Sequence, residues 1–183
     1  MKFFKPIQWG FCSQRFGENK VPFYKQMNLD GHNGIDFACQ KGTKIYWNGE
    51  GKGKVIKTIA SPTQGFGVYI VTEDELGRFM YIYWHNLENK VKAGDIVEMG
   101  NLIALADSTG QYTTGHHLHW GKYEVDSNNW ILNKDNGYGG AIDPIDNTYI
   151  DTFVLDIVEK KLEVLKKIRD ALIKLIGLLK GRK

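Results

Sequence analysis

Between Gly42 and about Val125 the chain is a succession of short runs rich in β-branched and aromatic residues, each closed by a glycine-bearing turn. Thr43–Trp47 and Gly53–Thr58 flank Asn48-Gly-Glu-Gly-Lys52, and Gly67–Glu73 and Arg78–His85 flank Asp74-Glu-Leu-Gly77. Val97 and Leu102–Ala106 follow Lys92-Ala-Gly-Asp95, and Leu118–Val125 is the last such run. Strands spaced this way predict an all-β domain of sandwich or barrel-like type, with Asp74–Gly77 as a hairpin turn. Twenty-one glycines against four prolines, with 13% aromatic residues, favour the same short strands and tight turns.

The pattern changes after this region. Asn128–Thr148 is rich in Asn, Asp and Gly and reads as a surface loop or linker. From about Thr152 the period becomes helical: Leu165, Ile168, Leu172, Leu175 and Leu179 alternate spacings of three and four, extended by Val158 with a break at Lys161. The charge is uneven in the same way. Residues 154–183 hold nine Lys/Arg against four Asp/Glu, whereas the preceding 153 residues hold 15 against 17. The body is therefore near neutral, and the footprint of a nucleic-acid-binding surface is missing. Three readings of the basic amphipathic tail stand together: a helix laid on its own domain, a coiled coil that makes a homodimer, or a contact with an anionic wall or membrane surface.

Cys12 and Cys39 are too few for a disulfide framework and read as free thiols, a single bridge being the alternative. The apolar start of the chain is broken by Lys5, Pro6 and Gln8, short of the ~7–15 residues of a signal-peptide core. No window reaches the ~18 apolar residues of a membrane span. The expectation is synthesis in the cytoplasm without an export signal of its own.

The chain has five histidines: His32, His85, His116, His117 and His119. His32 and Asp36, four apart, would lie ~13 Å from each other on an extended strand, too far to share a metal. Gly31 and Gly34 supply a bend that brings them together; the plainer reading is a turn whose aspartate caps backbone amides. In His117-Leu118-His119, strand alternation puts both imidazoles on one face and Leu118 on the other. By the same parity Phe79, Tyr81, Tyr83 and His85 share a face.

Taken in order, these segments resemble the M23 (lysostaphin/LytM-type) metallopeptidases. Gly31–Gly42, GHNGIDFACQKG, resembles their first motif, and Tyr81–Leu87, YIYWHNL, is similar to their Tyr-x-His-Leu segment. Val91–Gly100, VKAGDIVEMG, is similar to the turn before their last strands, and Gly115–Trp120, GHHLHW, to their final His-Leu-His motif. The resemblance runs from about residue 13 to 125. It implies an all-β core of antiparallel sheets forming an open groove, of barrel-sandwich type, in residues 1–148, with residues 149–183 as the helical tail. It implies Zn2+ held by His32, Asp36 and His119, with an open position for water as in catalytic sites, and His85 and His117 as the catalytic pair, His117 being the base. The activity implied is zinc-dependent endopeptidase action on bacterial peptidoglycan, at cross-bridge or stem-peptide bonds.

The sequence departs from the family pattern in places. His116 stands where a small residue or proline is usual, Asn86 separates His85 from Leu87, and Cys39 lies close to Asp36 but reads as packing. Tyr24 is the nearest match to an assisting tyrosine upstream of the first ligand. Small size, a full ligand set and the missing signal lead to the expectation of a phage or prophage lysin reaching the wall through a holin or virion, or else a cellular enzyme exported by another route. The rival reading is a non-catalytic wall-binding or hydrolase-activating module, against which the complete set of histidines counts. A lipoyl-type carrier, suggested by Val91–Ala104, lacks a modifiable lysine in its usual setting.

Overall fold

The computed structural model describes residues 2–20, 22–61, 63, 65–111, 113–146 and 149–180. Its body is three antiparallel or parallel β-assemblies. An eight-stranded antiparallel sheet runs β2 (Phe11–Gln14), β3 (Ile35–Ala38), β11 (His117–Glu124), β7 (Gly77–Trp84), β6 (Gly65–Asp74), β5 (Gly53–Ser61), β9 (Ile96–Val97), with β12 (Ala141–Ile142) also paired to β11. A three-stranded antiparallel sheet runs β4 (Lys44–Tyr46), β10 (Leu102–Ala106), β8 (Asn86–Asn89). β1 (Phe3–Lys5) and β13 (Tyr149–Phe153) make a parallel pair. Two helices complete it, α1 (Phe23–Gln26) and α2 (Val154–Lys180).

The strand runs read from the sequence are β4 to β7 and β9 to β11. The expected hairpin is present: β6 and β7 are joined across Asp74↔Gly77, Asp74 Oδ1 accepts the Leu76 N–H at 2.9 Å, and Gly77 has φ +135°. The sheets do not close into a barrel, and the groove this leaves holds the site.

Alternation along the long strands divides the large sheet into two faces. One face, with Val68, Ile70, Tyr81, Tyr83, Leu118 and Trp120, packs against Ile45, Trp47 and Ile103 of the small sheet and its flank. All of these are at most 1% exposed, and each such burial contributes ~1.5–3 kcal/mol. Two polar side chains inside are paired: the Tyr83 hydroxyl donates to Asn48 Oδ1, and the Asn48 amide donates to the Phe4 carbonyl. The other face carries Val71, Met80, Ile82 and Tyr123 and remains partly open.

The elements not foreseen before the expected tail are short: β1, β2, α1, β3, β8 and β12 have two to four residues each, too few for a period to show. Within the expected loop 128–148, β12 pairs with the outer half of β11. β13 begins the expected tail, and its pairing with β1 ties that tail to the N-terminus.

Among the described residues, α2 touches the body near its start. Val154 is fully buried beside Phe4 and Phe153, and Leu155 and Val158 close on Gly100. Lys161 Nζ reaches Glu50 at 2.9 Å. Beyond that, Leu162, Val164, Leu165, Ile168, Leu172, Ile173, Leu175 and Ile176 are 50–61% exposed. A helix laid on its own domain therefore describes only its first two turns; the side chain of Leu179 lies outside the described residues. No helix among the described residues is long and apolar enough to cross a membrane.

Candidate metal centre and groove

β3 and β11 are adjacent and antiparallel, with Asp36 opposite His119 and Ala38 opposite His117. Directly paired residues project from the same face, so Asp36, His117 and His119 all stand on the open face. Leu118, between the histidines, is fully buried on the other. His32 enters from the loop before β3. Gly31 and Gly34 lie in that loop without positive φ, so left-handed backbone is not why they are glycines. A Cβ on Gly34 would sit 2.6 Å from His119 Cε1, and one on Gly31 would sit 2.5 Å from the Gly17 carbonyl oxygen. The bend requires room, and only glycine leaves it.

His32 Nε2, Asp36 Oδ1 and His119 Nδ1 converge. The separations are 3.0 Å between His32 and His119, 3.1 Å between His32 and Asp36, and 3.0 Å between His119 and Asp36. His32 Nδ1 faces the Arg15 carbonyl at 3.2 Å. A carbonyl only accepts, so Nδ1 carries the proton and Nε2 presents a lone pair. Two lone-pair atoms, His32 Nε2 and Asp36 Oδ1, thus face one another, and the single hydrogen on His119 Nδ1 cannot bridge both contacts. A small cation at the convergence point satisfies all three, and the N,N,O donor set suits zinc. Among the described residues this is the only trio of His, Cys, Asp or Glu so placed. Burial pushes the Asp36 pKa up, but the adjoining imidazoles of His119 and His32 outweigh it and hold the carboxyl well below the usual range. Burial lowers the pKa of His119, keeping its ring neutral and its lone pair available.

His85 and His117 stand beside this trio, ring centroids 4.6 Å apart. His117 Nδ1 donates to the Gly115 carbonyl at 2.7 Å, and His85 Nδ1 donates to the Thr109 carbonyl at 2.8 Å. By the same argument both present Nε2 as an acceptor, that of His117 lying 3.8 Å from Asp36 Oδ2. Burial first, then neighbouring His119, lowers the His85 pKa to about 4.

His85 does not share a face with Tyr81 and Tyr83, contrary to the parity reading. Its φ of +65° turns the chain at the end of β7 and swings the ring out of the core row. Asn86 holds that turn: its amide donates to the Tyr83 carbonyl at 3.0 Å and to Asn89 Oδ1 at 2.9 Å. The residue that departs from the family pattern is therefore the one that stabilises the unusual backbone.

The groove is a cavity of about 230 Å³ whose walls add Phe23, Tyr24, Met27, Leu29, Asn33, Tyr69, Ile82 and Trp84 to the four histidines and Asp36. Tyr24 is buried on α1 with its ring 5.9 Å from His32, and burial pushes its pKa up to about 12. Trp84 lies over Gly67, where a Cβ would be 2.0 Å from its ring. His116 is not among the converging atoms. It is 46% exposed and its Nδ1 is 2.8 Å from Asp107 Oδ1. Cys12 and Cys39 are free, pack against the core, and have thiol pKa values raised by burial. Sequence reasoning did not single out Trp84, Asp107 or Thr109.

Comparison with known proteins gives a consistent result. The model of "Peptidase family M23" matches residues 30–134, which include all five site residues. The peptidoglycan DD-endopeptidase ShyB of Vibrio cholerae is 38% identical over 89 residues, 49% of this chain and 20% of its own length. Lysostaphin of Staphylococcus simulans is 30% identical over 150 residues, 77% of this chain and 29% of its own. This chain spans between 18% and 30% of the length of the curated relatives first matched. Among solved structures, LytU superposes with a TM-score of 0.55 at 32% identity over 75% of this chain and 83% of its own. A zinc-containing peptidase from Vibrio cholerae superposes with a TM-score of 0.60 at 27% identity, covering 82% of this chain and 41% of its own.

Proposed function

The chain belongs to peptidase family M23, and from that premise we propose that it is a zinc-dependent endopeptidase hydrolysing peptide bonds of bacterial peptidoglycan, in cross-bridges or stem peptides. The observation that carries this is the convergence of His32 Nε2, Asp36 Oδ1 and His119 Nδ1 on the floor of an open groove, with two acceptor imidazoles beside them.

These three atoms would hold Zn2+. When bound, zinc supplies a Lewis acid that makes hydroxide available near neutral pH and polarises a carbonyl. The chain's own residues do the rest. His117, anchored at Nδ1 by the Gly115 carbonyl, takes a proton at Nε2 from the attacking water and returns it to the leaving amine. The nearby Asp36 carboxylate favours the imidazolium that forms. His85, anchored by the Thr109 carbonyl and half-buried, shares the proton work at Nε2 or, once protonated there, bonds the tetrahedral intermediate. Trp84, Tyr69 and Phe23 wall the groove and exclude water from one side of the bond being cut.

Residues 1–148 form the proposed catalytic unit, with β13 joining the tail to it. The wall is the proposed place of action, by a lysin of phage or prophage origin or by an exported cellular enzyme. For the tail we favour self-association over an anionic surface. Its exposed Leu165, Ile168, Leu172 and Leu175 repeat at alternating spacings of three and four, the seam that a second copy of the helix would cover. Equal solution masses for the full chain and one lacking residues 154–183 would exclude the dimer.

Metal analysis of wild-type and His119→Ala protein, paired with clearing of purified walls from several bacterial types, tests the main reading. About one zinc per chain, lost in the variant together with clearing, is expected. A wild type that takes up no zinc after reloading would sink it.

A further inference from the structure

Both imidazoles beside the metal ligands are held by one loop. Residues 107–116 connect β10 to β11, and four hydrogen bonds run from this loop or its base to His85 and His117. The Thr109 carbonyl takes His85 Nδ1–H at 2.8 Å, and the Gly115 carbonyl takes His117 Nδ1–H at 2.7 Å. The Asp107 N–H donates to the His85 carbonyl at 3.0 Å, and the Asp107 carbonyl accepts from the His117 N–H at 3.0 Å. Thr109 adds a third support, its hydroxyl donating to the Asn86 carbonyl at 2.7 Å. The main chain of Asp107 is thus the bridge between the two segments that carry the rings.

The side chain of the same residue is what locks the bridge. Asp107 is 6% exposed. One carboxylate oxygen meets His116 Nδ1 at 2.8 Å, and the other meets Lys41 Nζ at 3.2 Å. His116 directly precedes His117. Lys41 lies in the turn that leaves β3, the strand of Asp36. The carboxylate therefore ties the loop's outgoing end to its returning end, and ties both to the ligand-bearing strand. A carboxylate this enclosed is costly to desolvate and persists only with partners such as these. His85 also needs outside support, since a non-glycine residue at φ +65° stores backbone strain.

We propose that Asp107 is a positioning residue: clamped by His116 and Lys41, it holds the base of the 107–116 loop and so sets the placement of His85 and His117 over the metal ligands. This assignment rests on the endopeptidase reading for its catalytic meaning, and on the hydrogen bonds alone for its geometry. His116, unexplained as a ligand, becomes half of the clamp.

The test compares zinc-loaded full-length wild type, Asp107→Ala and the double variant Lys41→Met/His116→Gln. Release of new amino groups from purified peptidoglycan gives apparent kcat and KM. Zinc content and thermal midpoint are taken alongside, and 15N spectra of labelled histidine report ring placement. Asp107→Ala is expected to lower apparent kcat ~10- to 100-fold, as misplacement on the order of 1 Å does, with KM within about twofold and zinc retained. The ring signals of His85 and His117 move while those of His32 and His119 hold. The double variant shifts the same quantities in the same direction, and it decides the matter if Asp107→Ala does not fold. Unchanged kcat and ring signals, with only a lower thermal midpoint, would reduce Asp107 to a stabilising ion pair. Loss of zinc would place its role at the metal ligands instead. Should wild type cut none of the walls tried, the endopeptidase reading fails, and the ring signals still decide whether Asp107 positions the pair.

Discussion

Within the eight residues of β11 the two faces of the large sheet do opposite work. Leu118 and Trp120 point into the space between the sheets and are fully buried. His117 and His119 point into the groove, where they meet Asp36, His32 and His85. The first face is apolar and filled, so its energy comes from removing surface from water. The second is polar and open on one side, and holds lone pairs against one another where a filled core would have paired them. Strand alternation lets one segment serve both ends, and a change on one face should leave the other's property measurable.

The largest expected effect is on the open face. His119→Ala should remove both zinc and hydrolysis, by at least ~10³-fold, because three ligands become two, while the metal-free protein still unfolds cooperatively. A variant that keeps zinc would break the comparison at its centre. Next, His117→Gln should lower hydrolysis ~10²–10⁴-fold with zinc content unchanged, as removal of a general base does; zinc loss there would make His117 a ligand. On the filled face Trp120→Ala should cost ~3–5 kcal/mol of stability, measured by denaturant unfolding. The fraction that remains folded should bind zinc and cut normally.

The smallest effect concerns pH. In metal-free protein the His85 pKa is about 4, against ~6.5 in an unfolded chain. Between those values the unfolded chain binds more protons, so stability should be flat above pH ~6.5 and fall as pH drops toward 4, by less than ~1.4 kcal/mol per pH unit. Asp36, whose carboxyl is depressed, adds a loss in the same direction only at lower pH. Denaturant midpoints in EDTA for wild type and His85→Gln sharpen the contrast: the variant should show the weaker slope, and equal slopes would mean that His85 is not desolvated.

The long strands and the residues that converge in the groove were legible because alternation and turn chemistry are local. His117-Leu118-His119 states its own geometry once it is read as a strand. His85 was placed on the wrong face because a positive φ at a non-glycine residue leaves no trace in a parity count. It comes from the Asn86 amide and the Asp107 bridge, partners 3 to 22 positions apart in the chain. β12 and β13 were hidden for a related reason. β12 is two residues inside a loop-like stretch and β13 five residues between that stretch and the helix, and pairing with β11 and β1 is what makes them strands.

By itself the amino-acid sequence determined the β-rich body, the amphipathic tail, the identity of the residues able to bind a cation and the family pattern they follow. These depend on residue type and on spacing within one element. Only the tertiary structure decided which atoms face the metal position, that Gly34 is required because the His119 ring occupies its Cβ space, that α2 leaves its apolar face exposed, and that Asp107 bridges the two imidazoles. Each of these is a contact between distant parts of the chain, set by strand register and loop closure.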